Sequence, residues 1–183
     1  RVLYDDEALY LAAHCLDSRP DEIIARVTRR DRAIESDSFE LSIDSRHGRR
    51  TGFWFSLNAA GVLRDGTWFD ENQPGVDWDG NWEGAARIVS DGWVAEIRIP
   101  LKILRFEAGE GKTFGINYSR WISRKLENTV WQYEPPDTGL VVSRWGTLEG
   151  LDLPDMPFSF ELAPYIAARP DLNTGTSSRV VRP

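Results

Sequence analysis

Trp54, Asn58, Asn117 and Trp121 carry the chemistry that this chain can offer a ligand. Trp54 and Asn58 alternate with Phe53, Phe55 and Leu57, while Asn117 and Trp121 alternate with Phe114, Ile116 and Tyr118. A period of two places them on strand faces turned away from the apolar sets. Glu40, Ser42, Ser56 and Arg98 hold the same kind of position in their own strands. Together they are expected to form one polar-aromatic sheet face. Flat rings stack on C–H surfaces, and the amides, hydroxyls, carboxylate and guanidinium pair with hydroxyl groups, so such a face suits a sugar. Trp68 and Trp78 flank the longest loop, 70–81, and are expected as exposed rings near a mobile segment. The competing expectation for any one of these tryptophans is burial, against the fold or a neighbouring domain.

Metal and covalent chemistry have less to work with. Asp77, Asp79 and Asn81 place oxygen ligands at alternate positions around Gly80, and Asp70, Glu71 and Asn72 lie nearby. This resembles part of a calcium loop but lacks the distant bidentate glutamate, so a structural calcium and an Asx turn that only shapes the loop both stay open. His14 and His47 are too few and too scattered for a zinc site. There is no nucleophile elbow and no phosphate loop. No two acids are marked as a facing pair for glycoside hydrolysis, so a hydrolase ranks third among the readings and would rest on an acid such as Glu40. The single methionine, Met156, gives haem little support.

The 183 residues suffice for one domain with a sizeable core. A net charge of −7 argues against nucleic acid as a partner. Cys15, the lone cysteine, excludes an internal disulfide and alternates with Leu9, Leu11 and Ala13 as a small buried hydrophobe.

The elements that must position these residues are short and numerous. Residues 91–100, DGWVAEIRIP, begin with a turn signal and alternate Trp93, Ala95, Ile97 and Ile99 against Val94, Glu96 and Arg98 before Pro100 closes the strand. Residues 82–89 pair with them as a hairpin, and one helical turn follows at 102–105. Further strands are expected at 2–4, 8–17, 38–45, 50–58, 62–69, 113–123, 129–133 and 143–148, with a helical turn after Pro20. This pattern predicts an all-β fold: an antiparallel sandwich, jelly-roll or immunoglobulin-like, with one or two short helical turns. Composition shifts near Asp152, which divides the chain into a sandwich over 1–151 and a linker with the start of a following, barrel-like segment over 152–183.

The segments RVLYDDEALYLAAHCLD (1–17), DSFELSID (37–44), DGWVAEIRIP (91–100), TFGINYSR (113–120) and RWGTLEGL (144–151) resemble family 9 carbohydrate-binding modules, DOMON-like sandwiches. The wider pattern is similar to the family 9-like domain that precedes an outer-membrane barrel in large bacterial proteins, where a segment like FELAPYIAAR (160–169) begins the barrel. The resemblance implies a non-catalytic module that binds a polysaccharide or oligosaccharide, exported to the periplasm, outer membrane or cell surface, with a structural calcium possible and its own C-terminal barrel as a possible partner. It places Glu40 on a carboxylate that hydrogen-bonds sugar hydroxyls and Asn58 on the polar position beside it. The family's first strand is missing, so the chain is expected to have lost an N-terminal piece. The two tryptophans that clamp a sugar in the family fall on Ile34 and Gly139 here, which implies either an altered sugar site or a structural module that caps the barrel.

Overall fold

A computed structural model describes residues 1–133, 135 and 141–155. Gly139 and the barrel-like segment lie outside the described residues. The strands are β1 (Val2–Tyr4), β2 (Ala8–Leu16), β3 (Ser38–Asp44), β4 (Gly52–Asn58), β5 (Leu63–Phe69), β6 (Gln73–Gly75), β7 (Glu83–Val89), β8 (Gly92–Pro100), β9 (Gly109–Ile122), β10 (Glu127–Val130) and β11 (Gly146–Leu153). Short 3₁₀ turns follow Arg19, Pro100, Ile122 and Val141. The four-stranded sheet runs β1-β2-β8-β7, and the seven-stranded sheet runs β10-β9-β3-β4-β5-β6 with β11 also on β9. Every pairing is antiparallel, as the alternating sequence predicts.

The core lies between the sheets. Trp93, Ala95, Ile97 and Ile99 of β8 stand beside Cys15, Leu11 and Leu9 of β2 and meet Phe39, Leu41, Ile43, Phe55, Leu57, Phe114 and Ile116 of the larger sheet. Trp93 is fully buried, and truncating such a ring costs about 3–5 kcal/mol. Burial pushes the Cys15 thiol up to about 11, so it behaves as the expected small hydrophobe.

Several boundaries differ from the sequence reading: β9 begins at Gly109, β10 ends at Val130, and β6 forms within the expected loop 70–81. The β7–β8 hairpin turns at Ser90-Asp91, because Val89 pairs with Gly92. Gly92 (φ +149°) is needed for close approach: a Cβ there would meet the Cys15 carbonyl oxygen at 2.1 Å. Strand β11 runs past 151 to Leu153, and both Leu151 and Leu153 are buried in the core. Their alternation continues the strand through the composition shift at Asp152.

A candidate carbohydrate-binding face

Antiparallel register converts the period of two into a grid on the outer face of the larger sheet. One row is Trp121, Ser38 and Asn58; the next is Ser119, Glu40, Ser56 and Arg64; the third is Asn117, Ser42, Trp54 and Gly66. Cross-strand neighbours stand about 5 Å apart at Cβ, so each row is one contact surface. The grid unites Glu40, Trp54, Asn58, Asn117 and Trp121, as expected.

Arg98 does not join them. It stands on β8 in the other sheet, its guanidinium 5.9 Å from the Tyr10 ring centroid and 3.4 Å from Glu7. Alternation gives a residue's side of its strand but says nothing about which sheet that strand enters.

The lower half of the grid is closed. Trp54, Trp68, Val142 and Trp145 form a second buried cluster, with Trp68 and Trp145 edge-to-face at 6.2 Å. Trp54 donates Nε1–H to the Gly75 carbonyl at 3.2 Å and lies over Gly66. Trp68 is therefore a buried ring, not the exposed one expected, because the chain from 141 onward returns over this face. Trp145 belongs to this cluster and not to the main core. Glycines at 52 and 66, on the same face as the two tryptophans, are the sequence signal that rings lie flat over this sheet. Trp78 is half-buried, its ring 4.9 Å from Phe53 and 5.9 Å from Phe55 at the rim of the core.

The upper half is open. A hollow of about 220 Å³ is lined by Arg32, Ile34, Ser38, Ser56, Arg64 and Trp121, among others. Trp121 is half-buried and is the one aromatic ring in it among the described residues. Ile34, on the family's first clamp position, lines the same hollow. Glu40 borders it, in register with Ser56, and its carboxyl makes no hydrogen bond among the described residues. Burial pushes the Glu40 carboxyl up to about 7, against the opposing pull of Arg64. Arg64 lies 5.7 Å over the Trp54 ring, and its buried Nε has no hydrogen-bond partner among the described residues.

Two expected polar ligands are already committed. Asn58 donates its amide to the Arg26 carbonyl at 2.9 Å and accepts from the Ala60 and Val62 N–H groups, which shapes the β4–β5 turn. Asn117 accepts from Tyr118 N–H and Gln132 N–H and is buried. Both orient backbone at the edge of the face.

The carboxylates that come together are Asp31, Asp65 and Asp79, with one oxygen of each within 4.8 Å of the others. Arg30 sits among them, 2.7 Å from Asp65, 3.0 Å from Asp79 and 3.3 Å from Asp31. Asp65 also accepts the Gly80 N–H at 2.7 Å. Asp77 and Asn81, the other expected calcium ligands, are exposed and outside this group. Asp79 is thus gathered with acids distant in sequence, around a guanidinium.

No family profile and no curated protein matches the sequence. Solved structures do match the fold. A family 9 carbohydrate-binding module from Caldicellulosiruptor kristjanssonii in complex with cellotriose has a TM-score of 0.55 at 15% identity, covering 89% of this chain and 78% of that one. The same organism's module in complex with glucose has a TM-score of 0.55 at 16% identity, covering 86% and 78%. A Bacteroides uniformis protein described as carbohydrate-binding has a TM-score of 0.64 at 15% identity, covering 81% and 76%. The chain has a family 9-like fold.

Proposed function

We propose that the chain is a non-catalytic carbohydrate-binding domain and that the open hollow beside Trp121 is its sugar site. The observation that carries this is the juxtaposition of one accessible ring with Glu40, Ser38, Ser56 and Arg64 on a rigid sheet face. Trp121 supplies the stacking surface, Ile34 lines the same hollow in place of a second ring, and the polar row takes the hydroxyls. Glycoside hydrolysis calls for two carboxyl groups about 5–10 Å apart, whereas among the described residues lining the hollow there is no carboxylate, and Glu40 only borders it in register with Ser56. The neighbours crystallised with cellotriose and glucose support the reading through their shared fold.

Polysaccharides are too large to cross membranes, which favours a position outside the cytoplasm. A role beside a following barrel is the further step suggested by residues 160–169. Of the loop's acids Arg30 pairs with Asp79, so a structural calcium there would draw on Asp77 and Asn81.

Calorimetric titration with a panel of soluble oligosaccharides, on the native domain and on Trp121→Ala, tests the proposal. Binding lost by at least tenfold in the variant is expected. Retention of full affinity by Trp121→Ala, or binding of no member of the panel, would overturn it.

A further inference from the structure

The hollow carries positive charge in an acidic chain. Arg32 and Arg64 both line it, and neither guanidinium forms a hydrogen bond or ion pair with any described residue. Elsewhere in the molecule Arg30, Arg98, Arg120 and Arg124 each hold carboxylates. Two arginines without an ion pair among the described residues in one concavity, one with a buried Nε lacking a hydrogen-bond partner among them, present donors that a ligand carboxylate can take in competition with Glu40.

We propose that the hollow recognises an acidic saccharide, a uronic acid unit whose carboxylate is taken by Arg64 and Arg32 while its ring lies against Trp121. This rests on the carbohydrate-binding reading above and names its ligand class. A planar carboxylate matches the guanidinium fork in a bidentate pair. Trp54 holds Arg64 from behind, 5.7 Å from its ring, so little side-chain entropy is lost on binding. Ser38 and Ser56 stand on the two strands between those of Trp121 and Arg64 and take hydroxyls. Glu40 does not repel such a ligand under mildly acidic conditions, since burial raises it to about 7.

The test is calorimetry on the native chain with trigalacturonate, cellotriose and dextran sulfate, repeated with Arg64→Met and with the exposed Arg32→Ala. Trigalacturonate is expected to bind at least tenfold tighter than cellotriose, to weaken with added salt and to lose about tenfold in either variant. Cellotriose bound as tightly as trigalacturonate, or uronate affinity unchanged in both variants, overturns the acidic-ligand assignment and leaves the carbohydrate reading standing. Dextran sulfate bound as tightly as trigalacturonate overturns the carboxylate as the recognised group. Binding of no saccharide sinks both readings. Competition by free galacturonate against galactose, run on the native chain, decides the matter if Arg64→Met fails to fold.

Discussion

Arg124 grips Asp17 with two hydrogen bonds, 2.6 Å to Oδ1 and 2.8 Å to Oδ2, and so ties the end of β2 in one sheet to the turn after β9 in the other. Arg120 adds a contact to Asp17 at 3.3 Å and donates to the Leu16 carbonyl at 2.6 Å. Asp17's side chain is only 2% exposed. Hydrophobic burial presses the two layers together but does not fix how they are aligned; a bidentate pair at their rim does.

That clasp predicts an acid-labile sandwich. Hydrogen bonds from Arg124, assisted by Arg120, hold the Asp17 carboxyl at about 2, below its ordinary 3.8. A depressed carboxylate stabilises the fold above its unfolded value, and that contribution is lost as pH falls from about 4 toward 2. The shift corresponds to about 2 kcal/mol. Asp17→Ala, which strands two guanidinium groups, is expected to cost about 3–5 kcal/mol in urea unfolding at neutral pH. A variant that unfolds at the same urea concentration as the native protein would dismiss the clasp.

Arg30 should be equally hard to replace. Its removal leaves Asp65, a fully buried carboxylate, with only the Gly80 N–H and costs about 3–5 kcal/mol in Arg30→Met. Arg30→Ser opens the space among Asp31, Asp65 and Asp79. Calcium in the millimolar range is expected to raise the melting temperature of this variant and leave that of the native chain unchanged. An equal rise in both would return calcium to the native loop.

The two-layer fold was legible because each core strand alternates cleanly: Trp93, Ala95, Ile97 and Ile99 could face only one way, and the structure buries all four. The polar face was legible for the same reason, and the register places Glu40, Ser56 and Trp121 together as alternation implies. Arg98 was misplaced because local periodicity carries no information about sheet membership, which the long-range pairing of β8 with β2 decides. Trp68 was misplaced because its cover comes from Val142 and Trp145, more than seventy residues away. The Arg30 cluster was missed for a similar reason: Asp31, Asp65 and Asp79 lie far apart in sequence and meet only through tertiary folding. Arg64 could have been suspected, since it occupies the Ser56 row on the next strand, but only once the register was known.

Gly66 marks the floor under Trp54, and its replacement is predicted to be severe. A Cβ at this position would meet the Gly75 carbonyl oxygen at 2.0 Å and the Trp54 ring at 2.6 Å. Backbone on one side and a buried indole on the other leave no flexible atom to move aside. Gly66→Ala is expected to lose about 3 kcal/mol or more, at the upper end for overpacking. Because Arg64 rests on the same indole, the variant should also weaken saccharide binding when measured at a temperature where it stays folded. A loss below about 1 kcal/mol in urea unfolding would show that the tryptophan is not held against the sheet.

Glu40 gives the binding face a pH dependence near neutrality. Burial raises its carboxyl to about 7, with Arg64 opposing, from an ordinary 4.5. A raised carboxyl keeps the folded state protonated where the unfolded chain has already ionised. Stability is therefore highest below about 4.5 as far as this group is concerned, and is lost as pH rises through 7. The charged groups lining the adjoining hollow are Arg32, ahead of β3, and Arg64 on β5, with Ser38, Ser56 and Ser119 as the neutral neighbours on β3, β4 and β9. Ionised Glu40 competes with a ligand carboxylate for Arg64. Uronate affinity is thus expected to fall several-fold between mildly acidic and mildly alkaline buffer, while a neutral oligosaccharide shows no such fall. Glu40→Gln should flatten the profile and unfold at higher urea than the native protein above pH 7. Calorimetric titrations across that range, paired with urea unfolding of both proteins, read the two effects separately; a profile that keeps its slope in Glu40→Gln would assign the titration to another group.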